Sequence, residues 1–201
     1  MAFNRDDHYF IDPIDELRLP KLKQLQTAKK YFKILPFEFS LLSSHSKIKN
    51  SITKPLGSSE VGDKVFYTSK LIQEEAYRPY PWFFQEGVLE GHDVTCVYIN
   101  GEVFSYYCDY DRNIEKIDWR VEINEETQSK WHVLNTKDST SFHERVAQLM
   151  EDFKLNYGRL DFLKRGDDYY FLECNCNGQF GWLDDQKELT LHNKFVNAFL
   201  S

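Results

Sequence analysis

The sequence has few cysteines and no long apolar run. Four cysteines in 201 residues are too few for a disulfide scaffold, and no second cysteine pair or histidine spacing completes a zinc site with Cys174 and Cys176. No stretch approaches the roughly 18 apolar residues that a membrane-spanning helix requires, and residues 1–7 lack the apolar core of a signal peptide. These absences predict a cytoplasmic, reduced protein that does not enter a membrane.

Blocks of basic residues are absent as well. The chain has 25 basic and 32 acidic residues, for a formal net charge of −7, and its lysines and arginines cluster only in short pairs. A nucleic-acid-binding surface is therefore not predicted. The hydrophobic share of 41% and the aromatic share of 16% indicate a folded protein, and the length suits one large domain or two small lobes.

Two segments with alternating apolar and polar residues, 158–162 and 170–179, predict a pair of β-strands. If the loop between them closes a hairpin, Asp161 and Glu173 lie near each other, and Asn175 shares the face of Glu173. Carboxylate and amide oxygens are the ligands of hard divalent ions. The alternative is an ordinary solvated hairpin face, but three oxygen-bearing side chains in alternating register favour a metal site.

A lysine inside a strand provides a second, weaker signal. Residues 52–56 predict a strand that contains Lys54 and ends in a Gly/Ser-rich turn beginning at Gly57 and Ser58. An ammonium group beside a loop of small residues suits phosphate binding, because the loop N–H groups supply further donors. A Lys-Pro dipeptide before a glycine is also common in proteins without such a function.

Alternation and turn residues predict the remaining strands. Asn100-Gly101 between two alternating runs is the strongest local signal, a two-residue hairpin turn that places Cys96 opposite Ser105. Extended segments are predicted at residues 34–39, 64–69, 82–89, 93–99 and 102–107.

Three amphipathic helices are predicted. The first follows Pro20 over residues 21–32, and the second begins with a capping box at Ser141 and stops at Gly158. The third is capped by Asp184 or Asp185. Its apolar stripe is formed by Leu189, His192, Phe195, Val196 and Phe199. Residues 1–19 are predicted to be an irregular lead-in and residues 124–140 a polar loop anchored by Trp131 and Val133.

Six segments follow one another along the chain: Thr53-Lys54-Pro55-Leu56-Gly57-Ser58, Phe84-Gln85-Glu86-Gly87-Val88, Asp93, Asp118-Trp119-Arg120, Gly158-x-x-Asp161-Phe162 and Phe171-Leu172-Glu173-x-Asn175-x-Asn177-Gly178-Gln179. In this order they resemble the ATP-grasp superfamily, in particular its branch of ribosomal protein S6 modification-type and graspetide (microviridin-type) peptide ligases. The resemblance covers roughly residues 20–183, and the last segment is the most specific. The chain departs from the family pattern at Thr95, where a basic residue is common, and at Cys176, where proline is common.

The resemblance implies an α+β fold with two lobes, each with an antiparallel sheet and helices, that hold ATP between them. Residues 20–88 would form the smaller lobe and residues 89–201 the larger. Lys54, Gly57 and Ser58 would bind the phosphates, Gln85, Glu86, Gly87 and Val88 the adenine, and Asp93 the ribose. Arg120 would meet the γ-phosphate or the acyl phosphate, and Asp161, Glu173 and Asn175 would bind Mg²⁺, with Mn²⁺ as an alternative.

The implied reaction is ATP-dependent activation of a carboxylate, followed by attack of an amine or hydroxyl on the acyl phosphate, with a peptide among the candidate substrates. Lys54 and Arg120 are the implied catalytic residues. The resemblance also suggests that the family's N-terminal domain is missing, to be supplied by a homo-oligomer or a separate partner. Two alternatives remain: a non-catalytic nucleotide- or peptide-binding module, degenerate or part of a split enzyme, and a structural α+β domain without a ligand.

Overall fold

The structure is a computed structural model that describes residues 19–40, 47–48, 51–55, 60–61, 64–65, 69–70, 82–88, 90–109, 131–134, 139–184 and 191–200. Helices and antiparallel strands are mixed along the chain, which confirms the predicted α+β class. The elements are α1 (Lys21–Ala28), β1 (Phe37–Ser40), β2 (Ser51–Pro55), β3 (Glu60–Val61), β4 (Lys64–Val65), β5 (Ser69–Lys70), β6 (Trp82–Glu86), β7 (His92–Ile99), β8 (Glu102–Cys108), β9 (Trp131–Val133), α2 (Ser139–Phe153), β10 (Tyr157–Arg165), β11 (Asp168–Asn175), α3 (Gly181–Asp184) and α4 (Leu191–Leu200).

A four-stranded antiparallel sheet has the strand order β1-β6-β2-β5. Its central strand β6 buries Trp82, Phe83, Phe84 and Gln85. Residues 64–69 were predicted as one strand that returns after the Gly/Ser-rich turn, and the structure describes only the two ends of this range, because residues 66–68 lie outside the described residues. β4 pairs with β3 in a separate two-stranded hairpin, and β5 is the element that pairs with β2.

A five-stranded antiparallel sheet has the order β11-β10-β7-β8-β9. The Asn100-Gly101 turn joins β7 to β8 with Cys96 opposite Ser105, as predicted. The predicted pairing of Asp161 with Glu173 across β10 and β11 is also confirmed.

The two faces of this sheet are covered by different helices. One face packs against the apolar stripes of α1 and α2, including Leu25, Val146 and Leu149. The opposite face packs against α3 and α4 through a second cluster that includes Leu183 and Leu191. The four cysteines are buried free thiols. Within the described parts of the chain, no helix is both long and apolar enough to span a bilayer.

The N- and C-terminal boundaries of the helices differ from the predictions. α1 ends at Ala28 rather than at residue 32, because the backbone of Lys33 bonds to Tyr169 and Phe171 of β11. α2 begins at Ser139, two residues before the predicted capping box at Ser141.

The predicted stop of α2 at Gly158 was also wrong. The helix ends at Phe153, and Lys154 adopts the left-handed conformation with φ of 58°. Gly158 instead lies inside β10. There a Cβ atom would be 3.0 Å from Met150 Cε and 3.2 Å from Cys174 Sγ, so the absence of a side chain permits close packing between α2 and the sheet.

Of the apolar stripe predicted for the last helix, Phe195 is confirmed as packed, and Leu189 lies outside the described residues. Asp184 does cap α4, since its carboxylate accepts the N–H groups of Leu191 and His192 at 2.8 and 3.0 Å. The packed side of α4 carries Leu191, Phe195 and Ala198. The predicted stripe members His192, Val196 and Phe199 are exposed.

Candidate functional site

A transverse row of polar side chains crosses one face of the five-stranded sheet. Thr95 on β7 lies opposite Asp161 on β10, which lies opposite Glu173 on β11. Directly opposed residues of antiparallel strands share a face, and Thr95 Oγ1 donates a hydrogen bond to Asp161 Oδ1 at 2.8 Å. Thr95, noted in the sequence as a departure from the basic residue common in the family, therefore orients one of the two predicted metal-binding carboxylates.

Asn175 joins the two carboxylates. Its Nδ2 lies 3.2 Å from Asp161 Oδ2 and 3.4 Å from Glu173 Oε1. A half-turn of the amide would present Oδ1 to a cation instead. No group of three or more His, Cys, Asp or Glu side chains forms a metal site within the described residues, so a cation here would depend on two carboxylates and this amide. That small oxygen set suits Mg²⁺, which keeps several waters or phosphate oxygens in its shell.

The alternation of β11 is interrupted next to this site. Asp161 pairs with Glu173 but Phe162 pairs with Phe171, so the register shifts by one residue at Leu172. As a result Phe171 is fully buried in the core while Leu172 is only partly buried, whereas strict alternation placed Leu172 on the face of Cys174. Bulges of this kind redirect side chains near sites.

Lys21 belongs to this site although the sequence pattern did not indicate it. It is the first residue of α1, and its Nζ lies 2.6 Å from Glu173 Oε2. The same ammonium lies 5.8 Å from the ring centroid of Phe83 on β6. The side chain of Lys21 is 10% exposed and that of Glu173 is 31% exposed, so the pair is much less hydrated than a surface ion pair.

Arg159 supplies a second positive charge. Its Nη2 lies 3.2 Å from Asp161 Oδ2, and its Nη1 donates to the carbonyl oxygen of Gln179 at 3.0 Å. The charge of Asp161 raises the pKa of Arg159 above its ordinary value, against the opposing effect of burial. Arg159 precedes Asp161 by two residues on β10, so the period of two that located Asp161 could also have found it.

A tight turn after β11 holds Arg159 in place. The N–H of Gly178 donates to the carbonyl oxygen of Asn175 at 3.0 Å, and the hydroxyl of Tyr157 donates to the carbonyl oxygen of Gly178. Burial raises the pKa of Tyr157 to about 12, so this hydroxyl remains a donor at neutral pH. A Cβ atom on Gly178 would be 2.6 Å from Arg159 Cβ, so the turn and the arginine fit together only without that atom.

Gln85 carries an unsatisfied buried amide. It is 1% exposed, and neither its Nε2 nor its Oε1 has a hydrogen-bond partner among the described residues. An unpaired buried polar group costs about 1–3 kcal/mol. A carboxamide presents a donor and an acceptor side by side, as the N6 and N7 edge of adenine requires, and Gln85 is one of the residues predicted to contact the nucleotide.

The other predicted nucleotide residues are distributed along the strands and beyond them. Asp93 is buried on β7, two residues from Thr95 and on the same face of the sheet. Glu86 ends β6, and its backbone N–H donates to the carbonyl oxygen of Pro36. Gly87 and Val88 follow the strand without regular structure.

Four predicted phosphate-binding positions are less completely described. The backbone of Lys54 pairs with Phe83 within the four-stranded sheet, which places this residue on the strand predicted for it. Gly57, Ser58 and Arg120 lie outside the described residues, as do residues 1–18 of the predicted lead-in at 1–19 and most of the predicted loop at 124–140.

Comparison with solved structures identifies the arrangement of the two antiparallel sheets. An ATP-grasp ligase of Chryseobacterium gregarium, associated with ribosomally synthesised and post-translationally modified peptides and solved with ADP and a leader and core peptide, superposes with a TM-score of 0.77 and 21% identity. The chain has the ATP-grasp fold. This confirms the fold expected from the resemblance. Matches cover 96% of this chain and 62% of that ligase.

Two further solved structures are similar to this chain at lower TM-scores. The macrocyclase MdnC of Microcystis aeruginosa, bound with the precursor peptide MdnA, has a TM-score of 0.68 and 22% identity, over 94% of this chain and 63% of MdnC. The D-alanine–D-alanine ligase of Bacillus anthracis has a TM-score of 0.57 and 12% identity, over 92% of this chain and 67% of that enzyme. The chain thus spans less than two thirds of the length of the two peptide-bound ligases. No protein-family model and no curated protein sequence matches it.

Proposed function

We propose that this chain binds ATP together with Mg²⁺, or with Mn²⁺, and activates a carboxylate for ligation to an amine or a hydroxyl. The main support for this proposal is that the side chains of Asp161, Glu173 and Asn175 lie together at one site. Lys21 and Arg159 each form an ion pair with one of its carboxylates. The oxygen ligands suit a hard cation, and the two positive side chains suit a polyphosphate. When bound, Mg²⁺ neutralises negative charge on the phosphates.

The side chains of this chain bind and orient the nucleotide. Lys21 and Arg159 neutralise the charge that develops in phosphoryl transfer, a step that needs positioning and electrostatic stabilisation rather than a protein nucleophile. The buried side-chain amide of Gln85 forms its hydrogen bonds with the adenine. Lys54 of β2, together with Gly57, Ser58 and Arg120, is assigned to the phosphates in the same proposal.

The remaining assignments belong to the same proposal. Glu86, Gly87 and Val88 line the adenine side and Asp93 lies near the ribose. Residues 20–88 and 89–201 form the two lobes. The two solved ligases with the higher TM-scores contain bound leader, core or precursor peptides, which supports a peptide as the substrate class. The four free cysteines support the cytoplasmic location proposed here, since disulfides are rare in that compartment.

A thermal shift measurement tests nucleotide and metal binding. ATP with Mg²⁺ at 100 times the dissociation constant should stabilise the wild type by about 2.7 kcal/mol, which for a chain of this length is a rise in melting temperature of roughly 5–10 °C. Glu173→Ala should lose the part of the shift that depends on Mg²⁺. Glu90→Ala is the matched control, because Glu90 is exposed and pairs with Arg165 away from the site.

The outcomes separate the candidate functions. If the wild type shows no shift with ATP and Mg²⁺, the proposal is wrong. If it shifts but forms no ADP with peptides that carry free carboxylates and lysine or serine, the protein is a nucleotide-binding module rather than a ligase. ADP formation that requires both a carboxylate and Glu173 establishes the ligase.

A further inference from the structure

We propose that Lys21 changes partners between Glu173 and the bound nucleotide, so that metal and nucleotide each bind weakly alone and strongly together. The inference rests on the proposed function and adds to it a thermodynamic coupling between the two ligands. Its starting point is the ion pair of 2.6 Å between Lys21 Nζ and Glu173 Oε2, which occupies an oxygen that a cation would need.

The carboxylates of the site are already satisfied by the protein itself. Asp161 accepts from Thr95, Arg159 and Asn175, and Glu173 accepts from Lys21 and Asn175. Among the described side chains of this group, the two carboxylates face two positive charges, those of Lys21 and Arg159. A divalent cation that arrives alone must displace a partly buried ammonium and then share the site with two uncompensated positive charges.

A nucleotide that arrives alone meets the opposite obstacle. Its phosphates attract Lys21, but moving this ammonium away removes the positive charge that lies 2.6 Å from Glu173 Oε2, and Glu173 faces a second carboxylate, Asp161. Like charges this close disfavour each other. When both ligands are present, the cation replaces Lys21 at Glu173 while Lys21 pairs with phosphate, so every charge retains a partner. Such coupling is reciprocal between the two ligands.

Lys21 is suited to this exchange by its position. It lies at the N-terminal end of α1, and its ammonium is held between the ring of Phe83 on β6 and the carboxylate on β11. It therefore contacts residues of both antiparallel sheets. A lysine side chain has a flexible four-carbon stem, so the ammonium can move without a shift of the helix.

The experiment measures each ligand alone in the full chain. Mn²⁺ without nucleotide is titrated by electron paramagnetic resonance into the wild type, Lys21→Met and Lys29→Met. Removing one positive charge within a few ångström of a divalent site changes its affinity by about tenfold even at the dielectric constant of water, so Lys21→Met should bind Mn²⁺ about tenfold more tightly. Lys29→Met, a matched charge loss at the exposed C-terminal end of α1, should bind it like the wild type.

The reciprocal arm uses ADP without metal. In the presence of EDTA, Glu173→Gln frees Lys21 and removes a negative charge, so isothermal titration should show ADP binding several-fold more tightly than to the wild type. The strengthening of Mn²⁺ binding by ADP, large in the wild type, should fall in Lys21→Met to the level that chelation between Mn²⁺ and ADP alone produces.

The results test the partner exchange of Lys21 and the proposed function separately. If Lys21→Met binds Mn²⁺ no more tightly than Lys29→Met, or if Glu173→Gln binds ADP no more tightly than the wild type in EDTA, the exchange is wrong while the proposed function stands. If Lys21→Met does not fold, Glu173→Gln carries the test. If the wild type fails to bind ADP with Mg²⁺, the proposed function is wrong and the exchange with it.

Discussion

Gly178 offers the sharpest single perturbation of the site, through the addition of one methyl group. An ideal Cβ at this position would lie 2.6 Å from Arg159 Cβ, 3.0 Å from the carbonyl oxygen of Asn175 and 3.1 Å from Asn175 Cβ. Carbon atoms in favourable contact are about 3.5–4.0 Å apart, so the shortfall against Arg159 is at least about 0.9 Å. A Cβ atom is fixed by its own backbone, and no side-chain rotation relieves the clash.

Gly178→Ala must therefore shift the backbone of the turn, of β10 or of β11. Overpacking of this kind costs about 1–3 kcal/mol, which corresponds to a fall in melting temperature of roughly 2–12 °C for a chain of this size. The displaced residues are Arg159 and Asn175, both in the proposed site. A misplacement of about 1 Å can reduce the rate of a reaction about 100-fold, so ligase activity should fall much more than stability.

Gly181→Ala is the matched control, because no atom of the described residues, apart from those next to it in the chain and its own helix backbone, lies within 4 Å of a Cβ built on Gly181. Differential scanning fluorimetry with and without ADP and Mg²⁺ should give the Gly181→Ala protein a wild-type ligand shift and the Gly178→Ala protein a much smaller one. If Gly178→Ala keeps both the melting temperature and the ligand shift of the wild type, the close packing of turn and arginine described here is wrong.

Two further predictions concern buried polar groups. Gln85→Leu removes an amide without partners among the described residues, so urea unfolding should show the ligand-free protein more stable by about 1 kcal/mol. Titration should show that the variant binds ADP more weakly than the wild type. If the variant is both less stable and weaker in ADP binding, the assignment of Gln85 to adenine is contradicted. Burial lowers the pKa of His143, which lies 2.7 Å from Ser105 Oγ, below its ordinary value of 6.5. The folded protein thus binds this proton less readily than the unfolded chain, so the stability that the neutral imidazole contributes is complete above pH 6.5 and is lost as the pH falls through 6.5 towards the folded-state pKa. The free energy of unfolding should therefore fall less between pH 7.5 and 5.5 in His143→Gln than in the wild type, and equal losses would refute the prediction.

Local patterns were sufficient for part of the site. The register of Asp161 with Glu173 followed from a period of two on both sides of a short turn, and Asn175 followed from the same alternation. The Asn100-Gly101 hairpin was predictable for the same reason, since two residues with positive φ specify the turn without help from distant parts of the chain. The period of two also contained Arg159, although the prediction did not use it.

Boundaries and faces were less predictable, because tertiary contacts override local preference there. α1 ends early because Lys33 pairs with β11, and the bulge at Leu172 brings Phe171 into the core. On α4 two adjacent apolar stripes share Phe195, and the one that also contains Leu191 packs on the sheet, where Phe195 contacts Tyr157. Sequence spacing alone does not choose between two such stripes.

The amino-acid sequence by itself determined the two carboxylates and the amide of the site, because a hairpin of adjacent strands brings them together through local geometry alone. Arg159 lies beside Asp161 on the same strand, but only the tertiary structure decided that Lys21 neutralises Glu173. Lys21 meets Glu173 across 152 positions of sequence, and that contact exists because α1 packs on the sheet through its apolar side and directs its first residue towards the carboxylate. Periodicity reports the face on which a side chain lies, whereas charge pairing between distant elements depends on how those faces pack.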